Sequence, residues 1–161
     1  MSGGAARTVP MPLPAEGGCR CGQLRFRITR QPLATAVCHC TGCQRMSGSA
    51  FSTTIVTPGP GFEVTAGRTV PGGLRGPQIH HHHCPDCLSW VFTRAEGMDF
   101  VNVRATMLDD ASWFSPFIET WTSEKLPWVT TPAIHSFEQF PTFDAYPGLV
   151  ADYAARLAGE E

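Results

Sequence analysis

Short runs of alternating apolar and polar residues dominate the chain. "LRFRI" (Leu24 to Ile28) puts an apolar side chain at every second position, the period of a strand buried on one face. "DFVNVRA" (Asp99 to Ala105) and "FIETWT" (Phe117 to Thr122) repeat the pattern. "AFSTTIV" (Ala50 to Val56) and "FEVT" (Phe62 to Thr65) are rich in aromatic and β-branched residues, and "ATAVCHC" (Ala34 to Cys40) reads as a strand running into a cysteine cluster. Turn residues separate these runs at Pro58-Gly59-Pro60, at Ala66-Gly67 and in the loop "PGGLRGP" (Pro71 to Pro77). "QIHHHH" and "SWVFTR" flank Cys84-Pro85-Asp86-Cys87 as the two arms of a hairpin. Near the end the period lengthens: Leu149, Tyr153 and Leu157 fall at i, i+4 and i+8, and Pro147 suits a first helical turn. The pattern predicts a mostly β fold of several small antiparallel sheets with a short C-terminal helix.

Composition narrows this picture. The 161 residues suit one domain, and 14 prolines with 16 glycines favour short strands over long helices. We expect a flexible segment over 1–14, rich in Gly and Pro and without the apolar stretch of a secretory signal. A zinc-binding domain is expected over 15–143, and a helix packed on it or trailing it over 144–161. The formal net charge is −2, and Lys125 is the single lysine, so neither nucleic acid nor a membrane surface is expected as a partner. No run approaches the roughly 18 apolar residues of a transmembrane helix.

The seven cysteines carry the chemistry. They fall as Cys19-x-Cys21, Cys38-x-Cys40-x₂-Cys43 and Cys84-x₂-Cys87. An odd number cannot pair fully as disulfides, so thiolates bound to metal in a reducing compartment, the cytoplasm, are the simpler account. Residues i and i+2 of a strand share a side, so a C-x-C pair can bring both sulfurs to one ion, and a C-x₂-C pair does so from a tight turn. The natural division gives Cys19, Cys21, Cys84 and Cys87 a closed structural zinc. Cys38, Cys40 and Cys43 then hold a second zinc with one place open to water or substrate, as catalytic sites have. Two alternatives stand beside it. Cys84-Pro-Asp-Cys87 could be a redox pair, although the expected βαβ pattern is missing. A histidine could close the three-cysteine set into a second structural site. His39 faces away from its neighbours in a strand, His80 to His83 read as an exposed strand with adventitious metal affinity, and His135 reads as a hydrogen-bonded, partly buried residue.

"GGCRCGQLRFRI", "CHCTGCQRMSGSAF" and "HHHCPDCLSWVF" together resemble the glutathione-dependent formaldehyde-activating enzyme family, over about residues 16 to 141. "WTSEKLPWV" and "FEQFP" are weaker echoes. The resemblance implies a Gfa-like β-tent fold stapled by zinc, two zinc ions per chain divided as above, and a reaction joining glutathione with formaldehyde. One departure is Leu88, where the family commonly has glycine after the last cysteine.

A zinc ion with three thiolates carries net charge −1 and acidifies water weakly, whereas a thiol is a soft guest that ionises readily. A carbon–sulfur lyase or synthase acting on a small thiol such as glutathione and an aldehyde adduct is therefore expected; a zinc-stapled binding module without turnover is the alternative. Arg45 is a candidate receiver of a substrate carboxylate, with Ser47, Gly48 and Ser49 as polar donors in a turn, and Trp121 and Trp128 as possible walls. The sequence leaves the oligomeric state open; a homo-oligomer is compatible with it.

Overall fold

The computed structural model describes residues 7–160. Its elements are β1 (Ala15–Gly18), β2 (Arg25–Ile28), β3 (Ala34–Cys38), α1 (Thr41–Ser47), β4 (Ser52–Pro58), β5 (Phe62–Ala66), β6 (Val70–Gly72), β7 (Ile79–His83), β8 (Trp90–Ala95), β9 (Phe100–Val103), β10 (Ile118–Thr120), β11 (His135–Ser136) and α2 (Tyr146–Leu157). The fold is mostly β with a short C-terminal helix. Its strands gather into a three-stranded sheet, β1-β2-β5, and an eight-stranded sheet, β11-β10-β3-β4-β9-β8-β7-β6. Antiparallel pairing prevails, but β10 runs parallel to both β3 and β11. Alternation reports which face of a strand is buried and not its direction, so the parallel pairings lie beyond what the sequence pattern predicts.

The alternating runs bury the sides that the pattern selects. Phe26 and Ile28 of β2 are fully buried with Phe62, Val91, Phe92, Val101 and Val103, so the small sheet covers the central strands of the large one. Phe62 links them, its ring 5.6 Å from Phe26 and 4.8 Å from Phe92. Each such side chain contributes about 1.5–3 kcal/mol by leaving water. A second core lies at the other end, where Leu149 and Tyr153 of α2 pack on Ala34, Phe117 and Ile118.

Within the 1–14 segment, Met11 is packed into the core. That side chain is only 2% exposed. Its N–H and carbonyl bond to the Gln31 side chain at 3.0 and 2.8 Å. An apolar residue between prolines fills a gap in the core there; residues 1–6 lie outside the described part.

Candidate metal centre

Two turns bring four cysteines together. Gly22, at φ 80°, closes one, its N–H donating to the Cys19 carbonyl at 3.1 Å. In the other, the Leu88 N–H donates to the Cys84 carbonyl at 2.9 Å. Leu88 sits at φ 58°, so a leucine occupies the left-handed position that glycine favours. The Sγ atoms of Cys19, Cys21, Cys84 and Cys87 all lie within 4.8 Å of one another. Cys19 and Cys21 stand 3.5 Å apart, and Cys21 and Cys84 stand 3.8 Å apart. A tetrahedron with Zn–S bonds of about 2.3 Å has edges of about 3.8 Å, so the donor set fits zinc. The Leu24 N–H points at Cys19 Sγ (3.3 Å), and hydrogen bonds from Ser89 hold the Cys87 thiol down to about 5. Both stabilise thiolate, the form that binds metal.

The remaining cysteines belong to the connection between β3 and β4. Antiparallel pairing sets Cys38 opposite Ser52. Between them runs α1, which the sequence pattern did not predict. Its N-cap is Cys40, whose Sγ accepts the Cys43 N–H at 3.3 Å in the place a serine or aspartate usually takes. Gly48, read from the sequence as part of a polar turn, ends the helix at φ 62°. The cap points Cys40 back toward Cys38 and Cys43, and the three sulfurs lie within 4.8 Å of one another. Thiols of Cys38 and Cys43 hydrogen-bond to Cys40 and hold it down to about 2, while the same closeness pushes Cys43 up. A metal ion would take all three as thiolates, so its binding would release protons. Among the described residues no histidine or carboxylate joins this trio.

A polar hub behind the trio fixes the connection. Glu119 of β10, 7% exposed, accepts from Lys125 Nζ (2.8 Å), Thr131 Oγ1 (2.7 Å), Ser136 Oγ (2.7 Å) and His39 Nε2 (3.0 Å). Burial alone would raise its pKa, but these four donors outweigh it and hold the carboxyl at about 2. His39 therefore turns toward Glu119, as its place between two cysteines predicts. Gln44 adds bonds from Nε2 to the carbonyls of His39 (2.6 Å) and Glu124 (3.1 Å). The sequence pattern did not mark Glu119 or Gln44, whose partners lie up to 80 residues away.

A cavity of about 480 Å³ opens beside the trio, walled by α1, the start of β4, the Leu88–Trp90 segment and Arg104. Ser47 and Ser49 are in its wall; the Ser47 hydroxyl donates to the Cys43 carbonyl at 2.7 Å. Arg45 is exposed and outside the wall, as are Trp121 and the exposed Trp128. Arg104 is 6% exposed and carries its guanidinium 4.2 Å from the Trp90 ring centre. Burial pushes it down to about 10, against the pull of Cys43 and Cys38, and it remains a cation at neutral pH.

The histidine run is less exposed than expected. His80 is exposed, but His81 bonds Thr93 Oγ1 (2.9 Å), and His82 bonds Thr69 Oγ1 (2.9 Å) and stacks on Phe92 at 4.4 Å. A bulge between His82 and His83 breaks the alternation. His135 meets Asp152 at 2.8 Å. None of these joins a cysteine cluster. Among the described residues no helix is long and apolar enough to cross a membrane.

Comparison with known proteins finds two curated relatives and a solved structure. A protein of Halomonas elongata is 30% identical over 159 residues, covering 91% of this chain and 98% of its own length. One of Penicillium rubens is 30% identical over 107 residues, 61% of this chain and 55% of its own. Both bear the name "Putative glutathione-dependent formaldehyde-activating enzyme". A crystal structure of a Rhodobacter sphaeroides protein aligns with a TM-score of 0.49 at 16% identity, over 58% of this chain and 87% of that one; at that distance it adds nothing further. The model of the family described as "Glutathione-dependent formaldehyde-activating enzyme" matches residues 14–124, the stretch that holds all seven cysteines, and the chain belongs to that family.

Proposed function

We propose that the protein joins a small glutathione-like thiol to an aldehyde and, in reverse, parts the adduct, as a carbon–sulfur lyase or synthase of the S-(hydroxymethyl)glutathione synthase kind. One observation carries the reading. Cys38, Cys40 and Cys43 converge with no fourth histidine, cysteine or carboxylate among the described residues, and a cavity of substrate size adjoins them. Cys19, Cys21, Cys84 and Cys87 supply a complete donor set for a structural ion. Zinc held by the trio would supply a soft Lewis acid whose remaining place suits a thiol and lowers its pKa.

The protein's own residues do the rest. The three cysteines act as ligands and not as nucleophiles, and their negative charge disfavours hard, neutral water as the guest. Glu119, His39 and Gln44 hold the β3–β4 connection, so the sulfurs keep their places as guests enter and leave. Ser49 and Ser52 offer hydroxyls to the aldehyde oxygen within the cavity wall. In the forward direction the thiol gives its S–H proton to solvent, the sulfur adds to the aldehyde carbon, the carbonyl π pair moves to oxygen, and one proton returns from solvent to that oxygen to complete the adduct. The reverse step returns thiol and aldehyde.

Native mass spectrometry and exchange NMR of glutathione with formaldehyde test this. The wild type is expected to hold two zinc ions and to speed the exchange. Cys40→Ser should keep one zinc and a near-normal urea midpoint while losing glutathione binding, whereas Cys19→Ser should unfold. If Cys40→Ser unfolds as badly as Cys19→Ser, the trio is structural and the chain is a binding module without turnover.

A further inference from the structure

Building on the thiol reading above, we propose that Arg104 receives a carboxylate of the substrate, so the protein takes thiols that carry a carboxylate in preference to neutral ones. Among the described residues, Arg104 is the only charged side chain in the wall of the cavity beside the trio, and none of them adds a carboxylate to it. It is more than nine-tenths buried, yet among the described residues it forms no ion pair. Its guanidinium donates from Nη2 to the Asn102 carbonyl at 3.3 Å, and its Nε is buried without a partner among the described residues. A buried guanidinium without a carboxylate is costly, and such groups are ordinarily satisfied. A buried guanidinium with unused N–H groups in the wall of a hydroxyl-lined space is complementary to an anion.

Trp90 underlies the guanidinium and fixes its plane without using its N–H groups, as a receiver of a planar carboxylate requires. The placement also answers an electrostatic difficulty. Three thiolates repel an anionic guest, and Arg104 is the cation that feels both Cys38 and Cys43. Arg45, the arginine that the sequence offers for this task, lies outside the cavity wall.

Isothermal titration of the zinc-loaded protein with glutathione and with its diethyl ester tests the assignment. The wild type is expected to bind glutathione at least about tenfold more tightly, the scale of one charge-assisted hydrogen bond. Arg104→Gln should bring the two ligands to parity. Arg104→Lys, which keeps the charge but not the fork, should retain part of the preference and serves if the glutamine variant misfolds. Equal wild-type affinities, or a preference that survives in Arg104→Gln, overturn the role of Arg104 and leave the thiol reading intact. Failure of a two-zinc protein to bind either ligand refutes the thiol reading and the carboxylate assignment with it.

Discussion

Replacing Glu119 tests whether the polar hub holds the three-cysteine connection in place. Oε2 takes bonds from His39, Lys125 and Thr131, and Oε1 takes the Ser136 hydroxyl. In Glu119→Gln the amide oxygen can keep the Oε2 position, and Ser136 can rotate to accept from the new NH₂. What disappears is the negative charge facing Lys125. A hydrogen bond to a charged group contributes about 1.5–3 kcal/mol and a neutral one about 1, so the glutamine variant should lose about 1–2 kcal/mol. Glu119→Ala strands His39 Nε2 and Thr131 Oγ1 without an acceptor, and at about 1–3 kcal/mol for each group the loss should reach about 4 kcal/mol. With an urea m-value of about 2 kcal/mol/M, midpoints of the zinc-loaded proteins should fall by about 0.5–1 M for glutamine and about 2 M for alanine. The pH dependence has a definite sign. The carboxyl is lowered from 4.5 when free to about 2 in the fold, so its contribution is present above pH 4.5 and is lost as pH falls toward 2. The gap between wild type and Glu119→Gln should therefore narrow through that window, whatever acid does to the zinc sites that both share. An alanine variant within about 0.5 kcal/mol of wild type would refute the hub, since that is the scatter of ordinary surface substitutions.

Two further outcomes are expected from the same measurement. Leu88→Gly should stabilise by up to about 1 kcal/mol and raise the urea midpoint by up to about 0.5 M, because the left-handed backbone costs a leucine about 1–2 kcal/mol and glycine gives back only part of that in unfolded-chain entropy. The side chain is 67% exposed, so little burial is lost, and a clear fall in midpoint would contradict the account. Tyr153→Ala should destabilise by about 3–5 kcal/mol, since its buried ring packs edge-on to Phe117 at 5.2 Å; a loss below about 1 kcal/mol would mean that α2 adds little to the second core.

The sequence disclosed what depends on short-range periodicity and on donor chemistry. Alternation located β2, β9 and β10, the i, i+4 stripe located α2, and the three cysteine spacings anticipated the two sets of converging sulfurs. It missed elements without a period to read: α1, only seven residues long and capped by a cysteine, and β11, only two residues long. Glu119 and Arg104 escaped for another reason. Each sits in a run whose alternation is clear, and each is a charged residue at a buried place. The partners that make this tolerable for Glu119, and the cavity wall that Arg104 joins, are assembled from distant segments that only the tertiary fold brings together.

The cysteine pair Cys21 and Cys84 is separated by 63 residues, and the whole β3–β4 connection lies inside that interval. An ion clasping both ends would bind the folded chain and not the unfolded one, so its binding free energy would be folding free energy for everything inside that interval. Scarcity of the ion would thus loosen the trio without touching any of its atoms, since the Leu88–Trp90 segment that follows Cys87 shares a cavity wall with α1.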